Sequence, residues 1–117
     1  MVEQYAHLDA VFHALADPTR RAMLGQLAER ELTIGELATP FSMSFAGASK
    51  HVRVLENAGL VTRTIQGRTH VCRLQAARLA EADAWLRRYQ RFWSEKLDTL
   101  EALLREEDQE NSKQVKE

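Results

Sequence analysis

The sequence has little cysteine, proline or glycine, and it has no long apolar run. Its 117 residues include one cysteine, Cys72, two prolines and five glycines. A single cysteine excludes a disulfide within the chain and favours a reducing compartment. Because no basic flank precedes an uninterrupted apolar stretch near the N-terminus, we expect neither a signal peptide nor a membrane anchor. These absences predict a cytoplasmic protein, and a length of 117 residues with 44% hydrophobic and 28% charged content predicts one globular domain.

The sequence also lacks the motifs of common enzyme classes. It contains no nucleophile elbow, no glycine-rich phosphate loop and no pair of acids beside a plausible base. His13 and Asp9 lie one helical turn apart, which is more typical of a pair on a helix surface than of a catalytic pair. We therefore predict that the protein is not an enzyme and holds no cofactor.

The charges are unevenly distributed, although the net charge is only −1. Between Ser42 and Arg73 there are five bases and one acid, Glu56, which give this segment a net charge of +4. From Glu95 to Glu117 eight acids and four bases give −4. A separate basic segment predicts one surface for a polyanion, because nucleic-acid binding depends on cations that displace counterions.

The N-terminal part of the chain carries the signals of two helices. An i, i+3, i+4, i+7 spacing of apolar residues predicts an amphipathic helix from Tyr5 to Ala16. Asp17 and Pro18 then suit the N-cap and first turn of a second helix that reaches about Arg30, because Asp accepts hydrogen bonds from free amides and proline fits the first helical position.

Two further helices are predicted before residue 60. The run Thr33-Ile34-Gly35-Glu36 has the form of a capping box, and it opens a short helix that Pro40 ends. The run Ser42-Met43-Ser44 offers the next N-cap, for a helix from Phe45 to Ala58 that stops at Gly59. These two helices are a helix-turn-helix candidate.

The apolar period changes after Gly59. Alternating β-branched runs at 60–65 and 69–74 predict a β-hairpin, and apolar residues three and four apart predict one long helix from Ala76 to Leu104. The charged segment 105–117 has almost no apolar residues, which predicts a disordered tail. The order of elements over residues 1–104 is that of a winged helix-turn-helix, mainly α with a small β-hairpin.

The fourth helix is the predicted recognition helix. Helical geometry places Ala48, Val52 and Leu55 together on a buried face. The opposite face presents Lys50 and Arg53, which can reach guanine edges or phosphates, and small residues near the helix start allow a close approach to DNA. The candidate DNA-binding residues here are Ser44, Phe45, Ala46, Gly47, Ser49, Lys50, His51 and Arg53.

The hairpin is the predicted wing. Its tip combines a turn glycine with a cation, which is the chemistry that contact with a DNA backbone requires. Each basic element alone is also typical of an ordinary solvated surface, so the prediction rests on the two occurring together and in this order. The candidate DNA-binding residues of the wing are Arg63, Gln66, Gly67, Arg68 and His70.

Several runs are similar to those of the ArsR/SmtB family of winged-helix repressors, over about residues 5 to 104. The resemblance implies a homodimer formed through the first and last helices, and repression by occupancy of a palindromic operator in double-stranded DNA. The similar runs are 14–21 with Met23-Leu24, Glu36-Leu37-Ala38, 48–61 and Gly67-Arg68.

The sequence departs from the metal sensors of that family. Many of them place two thiolates near the position of Thr33 to Glu36, or carboxylate and imidazole ligands along the last helix. Here the first region has no cysteine, the last helix has no histidine, and the four histidines form no close-spaced ligand cluster. The run from Trp85 to Asp98, which contains several aromatic residues, instead resembles metal-independent members, so we predict no metal site.

Three alternatives remain open from the sequence. A metal- or thiol-responsive sensor of the same fold would keep the DNA-binding surface. A protein-binding winged helix would share the fold without needing Lys50, Arg53 and Arg68 together. The aromatic residues of the last helix either line an effector pocket or form the dimer interface, which is the commoner use of such a stripe. No residue pattern identifies an effector, the operator sequence or the regulated genes.

Overall fold

The computed structural model describes the backbone of residues 2–116 and the side chains of residues 7–113. Met1, the first residue of the predicted winged helix-turn-helix region 1–104, and Glu117, the last residue of the predicted tail 105–117, lie outside the described residues. No helix in the described part of the chain is both long enough and apolar enough to cross a membrane. The elements are α1 (Val2–Leu15), α2 (Pro18–Leu27), β1 (Leu32–Thr33), α3 (Ile34–Ala38), α4 (Phe45–Asn57), β2 (Val61–Gln66), β3 (Thr69–Leu74), α5 (Ala77–Leu86) and α6 (Gln90–Lys116).

The chain divides into two compact units, residues 1–83 and residues 84–117. The first unit contains α1 to α4 and an antiparallel sheet with the strand order β1-β3-β2. Its core is apolar, and the predicted winged helix-turn-helix fold is confirmed. The largest fully buried side chains are those of Val11, Met23, Ile34, Leu37, Val52, Leu55, Leu60 and Cys72.

The corner between α1 and α2 satisfies the free polar groups of both helix ends. Asp17 is the N-cap of α2, and its Oδ2 accepts a hydrogen bond from the Arg20 amide at 3.0 Å. That hydrogen bond holds the pKa of the Asp17 carboxyl below its usual value. At the end of α1, Arg20 Nε donates to the carbonyl oxygen of Ala14 at 2.8 Å, and Arg21 Nη1 donates to that of Leu15 at 2.7 Å. The two arginines are therefore structural.

The predicted capping box is confirmed at the start of α3. Thr33 Oγ1 accepts from the Glu36 amide at 3.1 Å, and Glu36 Oε1 accepts from the Thr33 amide at 3.0 Å. The same segment forms β1, which pairs with β3 so that Leu32 lies opposite Cys72. This third strand was not predicted, because two residues are too few to show an alternating pattern.

The second unit differs from the sequence prediction in two respects. A 3₁₀ turn, Arg87–Tyr89, separates α5 from α6, although one continuous helix was predicted. Leu86 and Gln90 on either side keep right-handed helical dihedrals, so the turn is a local tightening. Beyond Leu104 the helix continues to Lys116, where a disordered tail was predicted. Strong helix formers and i,i+4 ion pairs such as Arg105–Glu101 favour this continuation.

Candidate nucleic-acid interface

The recognition helix α4 begins after a sharp change of chain direction. Ser42 has a φ of +53°, in the left-handed region, and Ser44 is the N-cap whose Oγ accepts from the Gly47 amide at 3.1 Å. A Cβ atom on Gly47 would lie 3.4 Å from that oxygen, which is a van der Waals contact. Gly47 is half-buried there, and Ser44 remains exposed with its hydroxyl hydrogen available.

The faces of α4 lie as predicted. Ala48, Val52 and Leu55 have no exposed surface. Lys50 and Arg53 lie on the opposite, exposed side, and neither forms an ion pair with any described residue. The helix start is open as well, because Phe45 and Ala46 are exposed. An exposed phenyl ring at the start of the helix that carries these cations suits apolar contact with thymine methyl groups.

His51 and Ser49 are only half exposed. The Nδ1 atom of His51 lies 3.4 Å from Arg20 Nη1 and 4.0 Å from Asp17 Oδ2. The imidazole therefore contacts the α1–α2 corner, and it also lies on the helix that carries Lys50 and Arg53. Sequence periodicity alone did not indicate this contact, since Arg20 is 31 residues away.

The wing is the β2–β3 hairpin. Arg63 pairs with Cys72 in the register and Gln66 pairs with Thr69, so Gly67 and Arg68 form a two-residue turn. Gly67 has a φ of +64° and Arg68 does not have a positive φ, which is the pattern of a type II′ turn. Gln66 and Arg68 are exposed, and Arg68 has no ion-pair partner among the described residues.

Arg63 and His70 are placed differently from the wing tip. Only 14% of the Arg63 side chain is exposed, and its Nη2 donates to Glu56 Oε1 at 2.9 Å. Arg63 Nη1 donates to His70 Nδ1 at 3.2 Å. The two predicted wing residues therefore lie in a cluster with the recognition helix.

Sequence reasoning missed two residues of this surface. Glu56 was counted only as a charge, although its position as the one acid between Ser42 and Arg73 was a signal that it serves a basic partner. Ile65 was read only as part of an alternating strand, yet 63% of it is exposed on the outer half of the wing. The signal available in the sequence was an apolar β-branched residue two positions before the turn glycine of a basic hairpin tip.

Cys72 is a buried residue of the sheet. It has no exposed surface, and burial raises the pKa of its thiol. A protonated, inaccessible thiol reacts slowly with oxidants, because the thiolate is the reactive form. The structure thus favours a packing role for this residue.

Replacing Cys72 with serine should leave operator affinity and its response to peroxide unchanged, within about twofold. The buried hydroxyl should lower the free energy of unfolding by about 1–3 kcal/mol, since it loses its hydration. Thermal unfolding and DNA titration with and without peroxide check both parts. Loss of peroxide sensitivity in this variant alone would instead make Cys72 a redox switch.

The residues at the metal-sensor positions serve other purposes here. Thr33 and Glu36 hold each other's backbone amides in the capping box. Within residues 7–113, no three or more His, Cys, Asp or Glu side chains are grouped so that they could hold a metal ion.

Comparison with known proteins agrees with this geometry. A helix-turn-helix domain family model matches residues 15–64. The HTH-type transcriptional regulator Rv2034 of Mycobacterium tuberculosis is 38% identical over 93 residues, which cover 80% of this chain and 84% of that protein.

Solved structures show the same fold. The crystal structure of the ArsR family transcriptional regulator RHA00566 matches with a TM-score of 0.70 and 40% identity, over 75% of this chain and 91% of that one. A homodimeric winged helix-turn-helix DNA-binding domain of Mb0332 from Mycobacterium bovis, a possible ArsR-family regulator, matches with a TM-score of 0.59 and 27% identity, over 69% and 75% of the two chains. The chain therefore belongs to the ArsR family of winged helix-turn-helix transcriptional regulators, a family of DNA-binding proteins and not of enzymes.

Proposed function

We propose that this regulator is a homodimeric repressor of a palindromic operator, with α4 in the major groove and the wing beside the DNA backbone. The observation that carries the proposal is a set of unpaired cations on two neighbouring elements. Within the described part of the chain, Lys50, Arg53 and Arg68 are exposed and have no ion-pair partner. Arg20 and Arg63, in contrast, are held by protein groups. Free cations on adjacent elements suit phosphates and base edges.

The DNA contacts fall into two kinds. Lys50 and Arg53 project from the exposed face of α4, where long cations reach guanine edges in the major groove. The free amides and the Ser44 hydroxyl at the start of α4 suit a phosphate, since a helix N-terminus favours an anion. The residues assigned to contact are Ser44, Phe45, Ala46, Gly47, Ser49, Lys50, His51, Arg53, Gln66, Gly67 and Arg68.

A second copy of the chain is the proposed partner of α6. Tyr89, just before the helix, and Trp93, Leu97, Leu100 and Leu104 along it are all exposed. At about 100° per residue these five side chains fall on one stripe, along a helix of about 40 Å. Large apolar side chains in such an arrangement are typical of an interface. The homodimeric domain of Mb0332 supports a second copy as the occupant. We expect α1 to take part in the same interface, as the family resemblance implies.

Operator binding is expected to require no metal, because the positions of the metal sensors' ligands hold the helix-capping side chains Thr33 and Glu36. Repression then needs only that the dimer occupy its operator in the cytoplasm. A protein-binding winged helix is the main competing function, and the two differ in their salt dependence.

The affinity for operator DNA should fall steeply with salt. One to three phosphate contacts in each protomer, depending on whether Lys50 and Arg53 meet bases or phosphates, give two to six per dimer, for which the slope of log affinity against log salt is about −2 to −5. Fluorescence anisotropy at four salt concentrations, with and without a chelator, measures the slope and the need for metal together. A flat salt dependence would favour the protein-binding alternative, and loss of binding on chelation would refute metal independence.

A further inference from the structure

One arginine of the wing holds three elements together. Glu56 lies in the last turn of α4, Arg63 lies in β2 and His70 lies in β3. The Arg63 guanidinium donates to Glu56 Oε1 at 2.9 Å and to His70 Nδ1 at 3.2 Å. Since a guanidinium only donates, Nδ1 of His70 is the acceptor of this hydrogen bond. We call these three side chains the wing cluster.

The wing cluster is poorly placed for direct contact with DNA. The side chain of Arg63 is 14% exposed and that of Glu56 is 33% exposed. Arg63 Nε is buried and has no hydrogen-bond partner among the described residues. If Arg63 left Glu56 to bind a phosphate, an unpaired carboxylate would remain close to a polyanion. This cost favours an arrangement in which Arg63 stays with Glu56 when DNA binds.

The cluster lies between an anchored base and an exposed tip. At the base, the buried Leu60 donates from its amide to the Leu55 carbonyl oxygen at 2.9 Å, and its own carbonyl oxygen accepts from the Gln75 amide at 2.8 Å. From residue 64 to residue 69 every side chain is exposed. Because Arg63 is the last half-buried residue before the tip, its bonds set how the outer hairpin tilts against α4.

We propose that Glu56, Arg63 and His70 are positioning residues that fix the wing against the recognition helix, so that both elements meet one DNA duplex at the same time. This inference rests on the proposed function, since it requires that the wing touch DNA. Holding two contact elements in the bound geometry raises affinity because less conformational entropy is lost on binding. Arg63 and His70 thereby act through Arg68 and not as contacts of their own.

Whether the loss of the Glu56 charge strengthens or weakens DNA binding distinguishes two possible roles of Glu56. Glu56 is the only acid in the basic segment, so its charge repels phosphates. If Glu56 acted through its charge alone, Glu56→Gln would strengthen DNA binding. If it acts by holding Arg63, Glu56→Gln weakens operator binding despite the gain in positive charge.

Glu31→Gln is a matched control for this test. Glu31 pairs with Arg73 at 2.8 Å on the exposed surface, and its loss changes the net charge by the same amount without touching the wing cluster. Anisotropy titration with a duplex that the unsubstituted protein selects from random-sequence DNA should show affinity weakened on the order of tenfold for Glu56→Gln and changed less than twofold for Glu31→Gln. Unchanged or tighter binding by a folded Glu56→Gln protein would overturn the proposal.

A double-mutant cycle with Arg68→Ala tests whether the cluster acts through the wing. In the Arg68→Ala background, Glu56→Gln should cause almost no further loss of operator affinity. If the two substitutions instead lower the binding free energy independently, so that their effects add, the proposal is contradicted. Arg63→Lys, whose single ammonium replaces the guanidinium fork, is a second variant that should show the same coupling. If Arg68→Ala alone left operator binding unchanged, the proposed contact between the wing and DNA would be wrong. That result differs from additive effects in the cycle, which would contradict only the role of the wing cluster.

Discussion

Leu100→Glu should separate the protein into monomers at micromolar concentration and lower its operator affinity by about a hundredfold or more. Leu100 lies in the middle of the apolar stripe of α6 and is 52% exposed in the single chain. In a symmetric dimer the substitution occurs twice, and each copy would bury an unpaired carboxylate at the interface. A monomer also loses the second half-site, which a dimer binds at a high effective concentration.

Ala102→Glu is the control for this substitution. Ala102 is exposed and lies about 180° around α6 from the stripe, so the variant adds the same charge to the opposite face. Both changes keep a good helix former, and the helix itself should persist. Sedimentation should show a dimer for Ala102→Glu and a monomer for Leu100→Glu. Dimers in both variants would mean that the stripe is not the interface and would leave an effector pocket as its remaining use.

Local signals in the sequence were sufficient for much of the helix-turn-helix. The capping box at Thr33, the N-cap at Ser44 and the stop at Gly59 each depend on residues within a few positions of one another, and all three are present. The buried face of α4 was predictable for a similar reason, because helical periodicity alone separates it from the exposed face.

Contacts between distant residues were not predictable from periodicity. The strand β1 exists because Leu32 meets Cys72, which lies 40 positions further along the chain. Arg20 resembles an exposed helical arginine in sequence, but it caps α1 and contacts His51. Arg63 resembles an unpaired basic wing residue in sequence, but in the structure it is hydrogen-bonded to Glu56.

The wing cluster separates the cations of the candidate site into those that are free to contact DNA and those that are paired within the protein. Sequence reasoning treated Arg63 and Arg68 alike as possible DNA contacts, since composition does not distinguish paired from unpaired charges. The structure distinguishes them by exposure and by partners. Arg68 is exposed and unpaired among the described residues, whereas Arg63 is half-buried and paired.

Arg53→Ala and Arg68→Ala should both weaken operator binding, but in different ways. Arg53 lies on the exposed face of α4, and Arg68 lies in the turn of the hairpin. If Arg53 reads a base, its loss should cost about 1–3 kcal/mol on the operator and relax the preference at one symmetric position in each half-site. Binding to unrelated DNA should change less, because base contacts contribute little there.

Loss of Arg68 should weaken operator and scrambled DNA about equally and reduce the salt slope by about two per dimer, because a phosphate contact carries no sequence information. Arg73→Ala is the control, since Arg73 is a wing-strand cation already paired with Glu31. Each variant is titrated against operator and scrambled duplexes at several salt concentrations. Identical losses of specificity from Arg53→Ala and Arg68→Ala, or losses no larger than that of Arg73→Ala, would remove the basis for assigning α4 to the bases and the wing to the backbone.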